Sequence, residues 1–142
     1  TVRVVGDVFV MRYAENSGAF LGLGANLPNP WRKFVFSLFP VALMAGLSFY
    51  IFRNKQLTRW ELVWYACIIG GGIGNIIDRL AFDGMVTDFL NFGIGSLRTG
   101  ILNMADISIT AGVTGLVILL GLQSRAEKKK KAAAPDGNTR PD

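Results

Sequence analysis

Asp106 lies in the run Ile101-Leu102-Asn103-Met104-Ala105-Asp106-Ile107-Ser108, a few residues inside an otherwise uncharged apolar stretch. An ionised carboxylate at such a depth costs roughly 2.5–3.5 kcal/mol by insertion scales, so it calls for a partner or a task. Asn103 stands three residues before it and Thr110 four after, which places all three on one face of a helix. Two readings are open: a polar cluster that glues helices together, or a reactive acid. A hydroxyl or an amide would glue at lower cost, which favours the acid. A second group lies in Gly70-Gly71-Gly72-Ile73-Gly74-Asn75-Ile76-Ile77-Asp78-Arg79-Leu80. Gly70 and Gly74 form a small-xxx-small pair suited to close helix approach. No lysine follows these glycines, so they are not a phosphate-binding loop. Asn75, Asp78 and Arg79 share a face at the end of the run, where they either mark a membrane boundary or line a site.

The third group is Met85-Val86-Thr87-Asp88-Phe89-Leu90-Asn91-Phe92, where Asp88 is flanked by large apolar residues. Alone it reads as an exposed loop acid. Only eighteen residues separate it from Asp106, so the two can face each other across the ends of two spans. Two carboxylates held close in a low dielectric share one proton. The ionised member can take a proton from water while the protonated member hydrogen-bonds a carbonyl. This is aspartic-peptidase chemistry, and it needs neither metal nor cofactor. The chain has no histidine and a single cysteine, Cys67. That composition argues against a zinc site or a histidine-based triad and leaves no disulfide framework.

The elements that must position these groups are membrane spans. The chain has 142 residues, is 51% hydrophobic and has a mean hydropathy of +0.37, too apolar throughout for a soluble domain of this size. Crossing a bilayer takes about 20 apolar residues, and three stretches qualify: 34–52, with Pro40 inside it as an expected kink, then 60–77, then 101–122. Trp31, Trp60 and Trp64 stand near span ends, as interfacial aromatics do. The net charge of +5 does not point to nucleic acid, because Lys128 to Lys131 supply four of those charges in one juxtamembrane run. Arg53, Lys55 and Arg59 fill the short loop after the first span, and Arg125 and the lysines follow the third. The positive-inside rule puts both in the cytoplasm. The segments 1–33 and 78–100 then lie outside, together with Arg3, Arg12, Arg32, Lys33, Arg79 and Arg98. An outside N-terminal segment followed by three spans leads us to expect a further transmembrane helix upstream of Thr1.

That outer segment is rich in β-branched and aromatic residues at Val2–Val5 and Val8–Tyr13, with Gly6-Asp7 between, which predicts two strands and a turn. A turn at Asn16-Ser17-Gly18, a short interfacial apolar stretch at Ala19-Phe20-Leu21 and a break at Pro28-Asn29-Pro30 follow. The end of the chain, 132–142, has the composition of a solvated tail.

Taken together, Asn16-Ser17-Gly18-Ala19-Phe20, Gly71 to Leu80, Val86-Thr87-Asp88-Phe89 and Asn103-Met104-Ala105-Asp106 resemble the lipoprotein signal peptidase (signal peptidase II) family, in order and in spacing, over roughly residues 11–122. Each motif is weak singly; four in order at fitting membrane depths are specific. The resemblance implies an aspartic endopeptidase that removes signal peptides from prolipoproteins, cutting before a diacylglyceryl-modified cysteine. Asp88 and Asp106 would be the catalytic dyad. Asn16, Asn75, Arg79 and Asn103 would bind substrate. Asp78, by orienting Arg79, and Gly74 would support the structure. The implied fold is mainly α: three transmembrane helices, where the family has four, and a small β-rich periplasmic cradle. The expected organisation is a cradle and interfacial segment at 1–33, a transmembrane catalytic core at 34–122 with an outer loop at 78–100, and a basic cytoplasmic tail at 123–142. A monomer in the bacterial inner membrane is expected, with membrane lipid and signal peptides as partners and the active site at the outer face. The sequence departs from the family pattern at Phe20, where a second alanine is common, and at Leu102, where phenylalanine is. The competing reading is a non-enzymatic transporter subunit using Asp106 as a proton or ion site. A third is an assembly factor using the Gly70–Gly74 face.

Overall fold

The computed structural model describes residues 1–18, 26–28, 30–31 and 34–133. Among the described residues, three helices are long and apolar enough to cross a membrane: Phe34–Arg53, Arg59–Ala81 and Met104–Ala133. In the first of these, a π-helical stretch, Phe34–Leu38, leads into α1 (Phe39–Arg53). Pro40 falls in the first turn of α1 and not in mid-span. Its missing N–H would be unpaired there anyway, so the expected kink is replaced by a change of helix type just before the proline. α2 (Arg59–Ala81) opens on a capping box. Thr58 Oγ1 accepts from Glu61 N at 3.3 Å, and the Glu61 carboxylate takes Thr58 N at 2.7 Å. Two orphan donors are satisfied at once, which lets Glu61 be buried. The last helix, α3 (Met104–Ala133), is 30 residues long, about 45 Å at 1.5 Å per residue. That exceeds the hydrocarbon core, and the excess is the basic end: Lys128 to Lys131 are helical, so the helix carries the expected tail as far as Ala133. The expected Ala19-Phe20-Leu21 stretch and residues 134–142 lie outside the described residues, as does Asn29 of the proline break.

Glycine sets how closely the helices approach, but not the pair expected. A Cβ on Gly70 would meet nothing within 4 Å, whereas one on Gly71 would lie 2.5 Å from Ala105 O and 2.8 Å from Ile109 Cγ1. On the facing helix, a Cβ on Gly112 would lie 2.7 Å from Trp64 O, and Gly115 sits under the Trp64 ring. Gly72 receives Met44 of α1. A Cβ on Gly74 would lie 3.4 Å from Ala105 Cβ, an ordinary contact. The α2–α3 seam therefore runs along Gly71, Gly112 and Gly115.

The polar end of this bundle carries an antiparallel sheet in the order β1 (Val2–Val5), β2 (Phe9–Asn16), β3 (Val86–Ile94), β4 (Leu97–Arg98). The first two strands follow the sequence reading, with the turn around Gly6. The second two replace the expected outer loop at 78–100. Asp78–Ala81 is the last turn of α2, and Asp83 and Gly84, both at positive φ, turn the chain into β3. β3 pairs with β2 in a register that sets Phe9 against Phe92, their rings stacked 4.9 Å apart, and Ala14 against Asp88. A strand turns alternate side chains to opposite faces, and in β3 Val86, Asp88 and Leu90 all face inward and are buried. Asp88 is thus a strand residue aimed at the helices.

Candidate active site

Asp88 is 2% exposed, the least exposed of the buried polar residues among those described. Its strand is pinned beside it: the Asp78 carboxylate at the end of α2 accepts from Thr87 N at 3.2 Å. The Asp88 carboxylate accepts from Asn16 Nδ2 at 3.0 Å, at the end of β2, and from Asn103 Nδ2 at 2.7 Å. Asn16 in turn holds its own turn, with Gly18 N donating to its Oδ1 at 3.0 Å.

Asn103 does not lie on a helix face with Asp106 and Thr110. It is the residue before α3, and with Asp106 it forms a capping pair: Asp106 N donates to Asn103 Oδ1 at 2.9 Å and Asn103 N to Asp106 Oδ2 at 3.4 Å. The three-residue spacing is that of an N-cap and N3. Asp106 therefore sits in the first helical turn, where the macrodipole favours negative charge. Asn75 of α2 closes the circuit. Its Nδ2 donates to Asp106 Oδ1 at 3.2 Å, and its Oδ1 accepts from Asn103 Nδ2 at 3.1 Å. The two carboxylates are thus joined through Asn103 directly and through Asn75 at one remove. Asparagine suits this task because it offers donor and acceptor without adding charge.

Arg79 is buried beside them. Its two terminal nitrogens donate to Gly18 O at 3.0 Å and Asn75 O at 3.1 Å, while Nε is buried with no hydrogen-bond partner. Backbone carbonyls take its terminal nitrogens, and the Asp78 carboxylate accepts from Thr87 N of the strand. Sequence reasoning missed the Gly18 carbonyl and Thr87 N, since backbone groups leave no signature in residue type. Burial pushes the Asp88 carboxyl above the usual carboxylate range; the nearby charge of Asp106 adds to this, and the Asn16 and Asn103 amides and the Arg79 guanidinium oppose it.

Asp106, Asn75 and Arg79 form the polar head of a cavity of about 540 Å³. Its body is apolar, with Leu43 and Met44 of α1 on one side and Ile109 and Val113 of α3 on the other. A smaller cavity of about 220 Å³ adjoins it across Asn75 and reaches Asn103 and Thr87. Among the described residues, no three His, Cys, Asp or Glu side chains group as metal ligands would. Asp88 and Asp106 are thus two buried carboxylates linked through asparagine side chains, with Asp106 at the head of a groove whose body is apolar.

A family model described as signal peptidase (SPase) II matches residues 1–122. The lipoprotein signal peptidase of Pasteurella multocida (strain Pm70) is 34% identical over 124 residues, covering 87% of this chain and 73% of that one. That of Treponema denticola is 36% identical over 135 residues, covering 92% and 78%, and that of Escherichia coli K12 (DH10B) is 32% identical over 119, covering 84% and 71%. A bacterial membrane enzyme solved by the in meso method at 2.3 Å superposes with a TM-score of 0.72 at 22% identity, over 99% of this chain and 77% of its own. A second, at 1.9 Å, gives 0.69 at 25% identity, over 83% and 72%. With three bilayer-length helices and this match over most of its length, the chain is a multi-pass membrane protein of the signal peptidase II family.

Proposed function

We propose that the chain is an aspartic endopeptidase that removes the signal peptide from diacylglyceryl-modified prolipoproteins, with Asp88 and Asp106 as its dyad. The observation that carries this is the pair of buried carboxylates bridged by Asn103, with Asp106 at the head of an apolar groove. Family membership supplies the protease class, and the names of the relatives supply the substrate.

In this reading the signal peptide lies along the groove, its apolar residues against α1 and α3. Asp88, whose burial favours the neutral form, holds the shared proton and donates it in a hydrogen bond to the scissile carbonyl. Asp106, at the helix start, takes a proton from the attacking water. The water oxygen bonds to the carbonyl carbon and the carbonyl oxygen takes the Asp88 proton. As the intermediate collapses, the amide nitrogen leaves with the proton gained by Asp106, and the remaining hydroxyl proton returns to Asp88. Proton transfers of this kind contribute about 100- to 10,000-fold each. Arg79 supports substrate binding: its unpartnered Nε is a buried donor that a peptide carbonyl would satisfy. Asn75 and Asn103 hold the dyad and meet the peptide backbone, and Asn16 fixes the far oxygen of Asp88. Gly74 sustains the contact with Ala105 beside the dyad.

The enzyme would act as a monomer at the outer face of the bacterial inner membrane. Its cradle would be residues 1–33, its catalytic core 34–122, and its basic end 123–142 on the cytoplasmic side. The test is cleavage of a lipid-modified prolipoprotein by purified Asp88→Asn and Asp106→Asn variants with unchanged thermal unfolding. Each is expected to lose about 100- to 10,000-fold in kcat. Wild-type rates in either would overturn the dyad, and inhibition by a chelator would point to a metal between the carboxylates.

A further inference from the structure

Asp88 and Asn103 are brought together by a hairpin whose two sides do not match residue for residue. Ile94 pairs with Leu97 and Gly93 with Arg98, and Thr99 N donates to Phe92 O at 2.7 Å. The next pairing is Leu90 with Leu102, where Leu102 N donates to Leu90 O at 2.8 Å. Two steps along β3, from Phe92 to Leu90, are therefore met by three steps on the returning strand, from Thr99 to Leu102. The extra residue is a β-bulge at Gly100-Ile101, and Asn91 stands opposite it. A bulge interrupts the ladder and bends its strand; here the chain leaves the sheet one residue later, at Asn103, and enters α3.

Asn91 fills that interruption. It is buried, and its Nδ2 donates to Thr99 O at 2.7 Å and Gly100 O at 3.4 Å. Its Oδ1 accepts from Arg98 Nε at 2.5 Å, and Arg98 also reaches Asn91 O at 3.3 Å. The same guanidinium donates to Asp7 O at 2.8 Å and pairs with the Asp7 carboxylate at 3.4 Å, and that carboxylate takes Gly95 N at 3.0 Å. The β1–β2 turn, the β3–β4 turn and the bulge are thus clamped as one unit.

We propose that Asn91, held by Arg98, is a positioning residue of the active site, fixing the bulge so that Asn103 reaches Asp88. None of these three side chains, Asn91, Arg98 or Asp7, touches the carboxylates. They act through the segment 99–102 on the 2.7 Å bond between Asn103 and Asp88. The proposal rests on the dyad reading above. Its signature is a pH effect that mere loosening of the sheet would not produce, because the Asn103 amide favours the ionised form of Asp88. The other groups facing Asp88 are Asn16 from β2, Arg79 from α2 and Asp106 from α3, and Asn91→Ala leaves all three in place.

The experiment compares wild type, Asn91→Ala, Asn91→Ser and Arg98→Gln in full-length form, reading kcat and KM against pH on a lipid-modified prolipoprotein. Expected for Asn91→Ala is a fall in kcat of about tenfold, KM within twofold of wild type, and an alkaline limb moved to higher pH. Arg98→Gln should move both in the same direction by less. A folded Asn91→Ala with wild-type kcat and an unmoved limb overturns the proposal, as does a change in KM alone. If Asn91→Ala does not fold, Asn91→Ser, which keeps one donor, carries the same expectation and the same overturning result; if neither folds, Arg98→Gln decides on the same readings. Activity of Asp88→Asn would instead overturn the dyad itself, so the two failures are distinguishable.

Discussion

Asn103 holds the centre of the site with one side chain: it caps α3, steadies Asp106 in the first turn, and donates to both Asp88 and Asn75. Its partner across Asp88 is Asn16, whose amide favours the ionised carboxylate that burial disfavours. Removing that amide leaves burial less opposed, so Asp88 keeps its proton to higher pH. Asn16→Ala is therefore expected to move the alkaline limb of the kcat profile upward; a limb that moves down, or stays, would show that Asp88 is not the group titrating there. The same shift has a sign for stability. An acid whose folded pKa is raised stabilises the fold relatively at low pH, and that contribution is lost as pH rises from the unfolded value through the folded one. Residue types made these groups visible, since carboxylates and amides beside apolar runs are costly and rare. Their partners were not visible, because the N-x-x-D spacing fits a helix face and a capping pair equally well.

At the level of elements, helix approach depends on which glycine faces inward. Of four glycines in five positions, 70–74, Gly71 and Gly72 are buried and Gly70 is exposed. Gly71→Ala would thrust a methyl at Ala105 O and Ile109, next to Asp106, with an expected loss of about 1–3 kcal/mol from overpacking. Gly70→Ala meets nothing and is expected to be neutral or to gain up to about 1 kcal/mol from helix propensity. Thermal unfolding midpoints of the two variants in one detergent check this; equal midpoints would refute the seam along Gly71, Gly112 and Gly115. The sequence called for close helix approach but included Gly70, which meets nothing, in place of Gly71, since a four-residue spacing recurs in any such cluster. β3 was hidden for a different reason. Its partner β2 lies about 70 residues away in the chain, and no local pattern reports a pairing at that distance.

For the whole molecule, the charge pattern and the sheet agree on sidedness. The loop with Arg53, Lys55 and Arg59 and the lysine-rich end of α3 lie at one end of the bundle, and Asp88, Asp106 and the sheet at the other. On a Cys67→Ala background, Gln56→Cys is expected to react with a membrane-impermeant thiol reagent only from the cytoplasm, and Ser96→Cys only from outside. Both positions are exposed. The reverse pattern would invert the proposed orientation.

Local physics accounts for most of what the sequence determined alone: three spans long enough for a bilayer, two strands with their turn, and five polar residues, Asn75, Arg79, Asp88, Asn103 and Asp106, that the fold gathers at one place; Asn16, which joins them, was marked only by the family resemblance. Each depends on side-chain type or on spacing within a few residues. Tertiary structure decided what those residues do to one another. Pairing of β2 with β3 turned a loop acid into a buried strand acid, and the bulge opposite Asn91 delivered Asn103 to it. The start of α3 made Asp106 a first-turn carboxylate. The strand pairing and the bulge rest on contacts between segments apart in the chain, which no local pattern of residue types reports.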